Sequence, residues 1–302
     1  MEHFSDKMQI FFRPFVIINI IFTPAYTLLH WLLIKQWHLF EIEEDMVGFI
    51  VPIVLVWLPV LIWLLKGTKI FAKDSFYKSQ PRFAMLAFAW MAILAPAVAA
   101  QSYLESVTGK MTQLNDVSAM QAHPVTRYYA LQHYYIDKTG PAICSLSRVQ
   151  GNHNEKLDLL VYAVAPVLTD SNDKTTPAKA WYGILYSKVD SNRKSENANA
   201  GLLNEYTKQC LVEFDTTDVN RFVYLENIGN VADRAYFVYA LKLRGVNADN
   251  NTVILLPQNE PFAAHNGHKL LWVFGLYALG TLVVFLLLLT IKIDEYGLAM
   301  YK

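Results

Sequence analysis

Two cysteines and eight histidines are the side chains of this 302-residue sequence best suited to redox, metal or nucleophilic chemistry. Cys144 and Cys210 both lie in one long polar stretch. An oxidising compartment would allow a disulfide between them. Cys144 falls in a strand pattern and Cys210 on the apolar face of a helix pattern, which also suits two separate buried thiols. His3, His30, His38, His123, His133, His153, His265 and His268 are scattered. Zinc ligands usually cluster at short spacing. Only His265 and His268 are close, and with Asn266 and Gly267 between them they read as interfacial polar residues. No G-x-S-G, G-x-S-x-G, H-E-x-x-H or G-x-x-x-x-G-K-[ST] occurs. No metal, cofactor or catalytic residue is therefore expected, although a triad that converges only in the fold stays open. Tyr128, Tyr129, Tyr134 and Tyr135, with His153 nearby, form the candidate partner surface, since tyrosine is common at recognition surfaces. The alternative is an alternating strand packed against a helix.

The elements that must position these groups are set by hydrophobicity. The composition is 54% hydrophobic and 17% charged, with no net charge. Without a basic field, nucleic-acid binding is excluded. Apolar runs of about twenty residues at 15–34, 46–65, 83–100 and 270–291 each match a bilayer core of roughly 30 Å. The expected fold class is a multi-pass α-helical membrane protein. It has four transmembrane helices and an α+β extracytoplasmic domain, residues 101–268, between helices three and four. The domain boundaries are 1–100, 101–268 and 269–302. The first run is too long for a cleavable signal and reads as an uncleaved anchor. None of the four cores contains Asp, Glu, Lys or Arg, which argues against a pump or channel. Asn19 and His30 in the first run suit a helix–helix hydrogen bond. The alanines of 83–100 suit close packing inside the bundle.

Orientation follows from the loops. The first loop is acidic, with Glu41, Glu43, Glu44 and Asp45. The second carries Lys66, Lys69, Lys73, Lys78 and Arg82 against a lone Asp74. The positive-inside rule then places both termini in the cytoplasm and the insert outside, in a bacterial inner membrane. Within the insert, 102–120 reads as helix. Strands are expected at 127–137, 142–149, 156–168 and 181–189, with 142–149 and 156–168 as an antiparallel hairpin. Short strands at 221–225 and 252–256 alternate with helices at 196–214 and 231–243. About five strands with helices on one face would result.

RYYALQHYYIDK (127–138), GNHNE (151–155), LLVYAVAPVL (159–168), NRFVYLENIGN (220–230) and QNEPFAAHNG (258–267) carry a resemblance. Together with the order of three spans, insert and one span, they resemble the N-terminal extension of rhomboid-family membrane proteins from the Bacteroidetes. Rhomboid proteases use a G-x-S-G serine and a histidine on another transmembrane helix. The serine motif is missing here, and His30 alone makes no site, so no catalytic residue carries over. The resemblance implies an accessory role, recognising a substrate or partner outside the membrane, while the well-formed insert and the uncharged spans themselves point to a membrane-anchored binding or scaffolding domain. The alternative is an accessory or remnant part of a rhomboid-like intramembrane serine protease. The implied partners are membrane lipid and a protein or peptide outside the cytoplasm.

Overall fold

The computed structural model describes residues 3–37, 43–72, 81–173, 177–192, 195–219, 221–249 and 251–301. His38, Glu41, Lys73, Asp74, Lys78 and Asn220 lie outside the described residues. In chain order the helices are α1 (Phe4–Gln36), α2 (Met46–Ile70), α3 (Pro81–Val107), α4 (Glu196–Thr216), α5 (Ala232–Leu243), α6 (Lys269–Thr290) and α7 (Glu295–Tyr301). The strands are β1 (Met111–Asp116), β2 (Tyr128–His133), β3 (Tyr135–Ile136), β4 (Ala142–Gln150), β5 (Lys156–Leu168), β6 (Ala180–Ser191), β7 (Tyr224–Asn227) and β8 (Val253–Gln258). The chain splits into two units, Met1–Thr108 with Asn266–Lys302, and Gly109–His265.

The first unit is helical. Helices α1, α2, α3 and α6 are long and apolar enough to cross a membrane. Prolines shape α2: Pro59 lacks an N–H to donate, and the helix widens into a π-turn over Val60–Leu64 directly after it. Helix α3 is the most buried of the four. Its alanines let α6 come close: a Cβ on Gly280 would lie 2.9 Å from Ala92 Cβ. Small side chains allow this approach, and dispersion contacts then hold the pair. Lys7 donates to the carbonyls of Leu288 (3.0 Å) and Ile291, so a cation meets the open carbonyl end of α6.

The second unit corrects the expected class. A multi-pass α-helical membrane protein with a roughly five-stranded α+β insert does not describe this chain. It is a mixed α/β protein, and one curled eight-stranded sheet, a half-barrel, organises the unit. The order is β1-β2-β7-β8-β6-β5-β3, with β4 also on β5. Pairings β1–β2 and β6–β8 are parallel, and the rest are antiparallel. The expected 142–149/156–168 hairpin is present as β4–β5, with Ala142 opposite Val164 and Gln150 opposite Lys156. The expected helix over 102–120 is replaced after Val107. Gly109 packs where a Cβ would meet the Tyr128 ring at 2.4 Å. Strand β1 follows, and Asp116 then caps a 3-10 turn over Val117–Ala122.

Helices cover both faces of the sheet, not one. Strand β5 shows why, because its apolar residues occupy both parities. Ala163, Ala165 and Val167 share a core with Phe214 of α4, Tyr129 and Tyr182. Tyr162 and Val164 share the opposite core with Phe237 and Leu241 of α5. Tyr129, Tyr162 and Tyr182 are fully buried, each contributing roughly 2 kcal/mol through its apolar ring. Pro166 falls in the gap where the edge of β5 passes from β4, ending at Val164, to β3, beginning at Val167. A residue without an N–H is tolerated at such a break.

Candidate functional site

Parallel strands β6 and β8 begin side by side, with Ala180 opposite Val253. Each is preceded by an irregular loop, and the two loops flank a cleft of about 680 Å³. One wall comes from α5 onward. Gly245, at φ 79°, turns the chain off the helix in a left-handed conformation that glycine adopts without strain. The chain then passes Val246, Asn247 and Asp249. Asp249 organises a local turn: its Oδ1 accepts from Asn251 N (2.9 Å) and Thr252 Oγ1 (3.2 Å), while its own N–H donates to Thr252 Oγ1 (2.9 Å). Arg234 of α5, only 9% exposed, donates to the carbonyls of Ile228 and Thr252, each at 2.5 Å. That fork ties helix, loop and strand into one wall. Burial pushes the guanidinium pKa down, and the nearby Asp249 charge pushes it back up.

Gln121 lines the cleft from the capped 3-10 turn. Asp116 holds that turn by accepting from Ser118 N (2.7 Å) and Ala119 N (3.2 Å). Hydrogen bonds from Ser118 are the main reason the Asp116 carboxyl sits below its ordinary pKa. Lys179 and the almost buried Trp181 come from the start of β6. The cleft thus combines a cation, a carboxylate and three side-chain amides (Gln121, Asn247, Asn251) with Pro177, Trp181 and Val246. Such a lining offers both donors and acceptors beside apolar wall, the chemistry for holding a peptide or another polar chain.

The candidate partner surface is not assembled. Tyr128 and Tyr129 are neighbours on one strand, so they point to opposite faces. Tyr129 is in the α4-side core, its hydroxyl accepting from Thr126 N at 2.7 Å. Tyr128 is buried in an aromatic group with Tyr224 (5.5 Å), Phe262 (5.3 Å) and His265 (5.3 Å). Arg127, Glu226 and Gln258 form a polar chain beside it, at 2.9 and 3.0 Å. This group ties the two ends of the second unit together, because Gly109 also packs on Tyr128. Tyr134 donates to Val219 O (3.2 Å) and stands 5.1 Å from Phe222. Tyr135 is half-buried opposite Leu168. His153 is exposed in the β4–β5 turn, where its N–H donates to Glu155 at 2.9 Å.

The disulfide is not formed either. Cys144 and Cys210 are free and buried. Cys144 belongs to the α5-side core. The next residue, Ser145, faces the other way and accepts a hydrogen bond from Thr207 of α4 (2.9 Å), one turn from Cys210. The sheet therefore stands between the thiols. Burial pushes both pKa values up, so both are protonated thiols at neutral pH.

His265 stacks on Phe262 at 4.2 Å. No group of three His, Cys, Asp or Glu placed to hold a metal occurs among the described residues. In the first unit, His30 hydrogen-bonds Gln101, which donates to Thr27 at 3.1 Å. Sequence reasoning missed the cleft residues Lys179, Trp181, Asn247, Asp249 and Asn251. Their one visible signal was two polar loops, each ahead of a strand, and nothing local marks those strands as parallel neighbours. No protein-family model, characterised protein or solved structure matches the chain.

Proposed function

We propose that the chain is a membrane-anchored binding protein whose 109–265 unit holds a protein or peptide partner outside the cytoplasm of a bacterium. The cleft before β6 and β8 is the observation that carries this reading. Its polar rim suits a peptide backbone, and Trp181 and Val246 suit an apolar side chain. The anchoring half of the proposal is supported by the first unit's surface. Ile20, Ile21, Val54, Leu271 and Trp272 are all more than half exposed on long apolar helices, an arrangement that water disfavours and hydrocarbon accepts. Lys66, Lys69 and Arg82 against the acidic Glu43, Glu44 and Asp45 favour an inner membrane with both termini in the cytoplasm. The rhomboid-type resemblance fits the same reading, as a recognition element that serves a protease.

The test uses the full chain in its membrane. A photo-crosslinking residue at Asn247 is expected to capture a protein or peptide of the cell envelope. Asn251→Trp, which fills the cleft, is expected to abolish that adduct. Capture from Val189, exposed on the open part of the sheet, without capture from Asn247 would move the site elsewhere. Topology is read in the same cells. An impermeant thiol reagent is expected to label Asn172→Cys and to spare Lys69→Cys, with little background because both native thiols are buried. The reverse labelling would overturn the orientation.

A further inference from the structure

One end of the first unit is built by three returning segments. The chain leaving α2 and the chain leaving α6 pair through an antiparallel bridge between Phe71 and Ile293. Ala72 N donates to Lys292 O (2.9 Å), and Asp294 N donates to Ile70 O (2.8 Å). Helix α7 then folds against the end of α2 so tightly that a Cβ on Gly297 would lie 2.4 Å from Lys69 O. At the start of α3, Arg82 Nη2 donates to the same Lys69 carbonyl at 3.1 Å.

These segments enclose a pocket of about 500 Å³ whose lining includes Lys66, Lys69, Arg82, Asp294, Tyr296 and Tyr301. Three cations face one carboxylate. Asp294 Oδ1 accepts from Tyr296 N at 3.2 Å, which fixes that carboxylate at the start of α7. Neither lysine is ion-paired among the described residues. Arg82 Nε is buried, and among the described residues nothing accepts its hydrogen. A buried guanidinium N–H normally has an acceptor. Three cations against one carboxylate leave a local excess of positive charge, which favours an anion such as a phosphate.

We propose that this pocket binds the phosphodiester headgroup of an anionic phospholipid. The ammonium groups of Lys66 and Lys69 donate to the phosphate oxygens, and the Arg82 guanidinium in the pocket wall adds to the positive field. The lipid source is favoured by position. Lys66 lies near the end of one apolar helix, Arg82 opens another, and Asp294 follows a third. Tyr296 and Met300 of α7 are about three-quarters exposed, as on a short helix lying at the headgroup level. Basic pockets between helices on the cytoplasmic side recognise anionic headgroups.

This inference rests on the membrane reading above, and the experiment separates the two. Full-length protein is purified in mild detergent, incubated with equimolar phosphatidylglycerol and phosphatidylcholine, and its retained lipid is measured by native mass spectrometry. Selective retention of phosphatidylglycerol is expected. Arg82→Gln and, separately, Lys66→Gln/Lys69→Gln are expected to reduce that selectivity by about fivefold per cation removed. The lysines are exposed, so the double variant tests the site even if Arg82→Gln fails to fold. Equal retention of both lipids, or selectivity unchanged in the lysine variant, would overturn the site. Inorganic phosphate at millimolar concentration is expected to leave the lipid bound. Displacement by phosphate would reassign the pocket to a soluble anion. Alkaline carbonate washing of membranes reports separately on anchoring. A chain released by the wash contradicts the membrane reading, whereas a retained chain without lipid preference contradicts this inference alone.

Discussion

Both units bury an apolar core, but they differ in the polar groups they bury beside it. Among the described residues, the buried polar or charged side chains of the helical unit are Lys7, Asn19, Thr23, His30, Thr68, Gln101 and Ser106, and that of the sheet unit is Arg234. The helical unit meanwhile turns large apolar side chains outward along its long helices. In the sheet unit the apolar side chains are gathered into two cores, one on each face of the sheet. A polar group is buried at low cost only where it finds a partner, and a long apolar face left in water is costly. The contrast is in keeping with the membrane anchoring proposed for the helical unit. It also shows that burial alone is a poor guide to stability. What matters in each unit is which group would be stranded if its partner were removed.

Arg234 tests this most severely. Arg234→Met is expected to leave the Ile228 and Thr252 carbonyls without this donor and to destabilise the sheet unit by about 3 kcal/mol. Denaturant unfolding followed by near-ultraviolet circular dichroism measures it. An unchanged midpoint would show that the fork is not what holds α5 to β8.

In the helical unit the corresponding weak point is the approach of α6 to α3. Gly280→Leu is expected to cost about 2 kcal/mol by forcing the helices apart at Ala92. Thermal unfolding in detergent reads the effect. A neutral result would mean that the helical unit tolerates separation there.

Alkali should strain the sheet unit at Tyr128. Burial chiefly, with the Glu226 charge adding to it, pushes the phenol up to about 12. The folded state therefore favours the neutral phenol. Its contribution to stability is complete below the ordinary value near 10 and is lost as pH rises through about 12. Wild type is expected to lose stability across that window, and Tyr128→Phe to lose less. Matching pH profiles for the two would remove Tyr128 from the account.

Reductant should have the smallest effect. With one thiol on each side of the sheet, dithiothreitol is expected to leave the melting temperature unchanged. Two thiols should react with a chromogenic disulfide reagent, but only after unfolding. A reductant-sensitive melting curve would contradict the placement of Cys144 and Cys210.

Much of this molecule was legible residue by residue. Four apolar stretches, α4 and α5 with their apolar faces, and the β4–β5 hairpin follow from periodicity, since a repeat of 3.6 or 2 states which side of an element is dry. The turn at GNHNE marks a local reversal for the same reason. Periodicity does not state which strand lies beside which. The parallel pairing β1–β2 spans a 3-10 turn and β6–β8 spans α4, β7 and α5, and no local pattern records those choices. The sheet has eight strands rather than about five because 111–116, read as helix, is β1 and 127–137, read as one strand, is β2 and β3, and its helices lie on both faces. The same limit hid the cleft. Lys179 and Trp181 meet Asn247, Asp249 and Asn251 only because β6 and β8 start together. It also misplaced the tyrosines and cysteines: Tyr128 and Tyr129 face opposite ways, and a sheet stands between Cys144 and Cys210. Local chemistry determined the elements and their apolar sides. The tertiary structure alone decided neighbours, because long-range pairing is settled by the joint packing of every face at once.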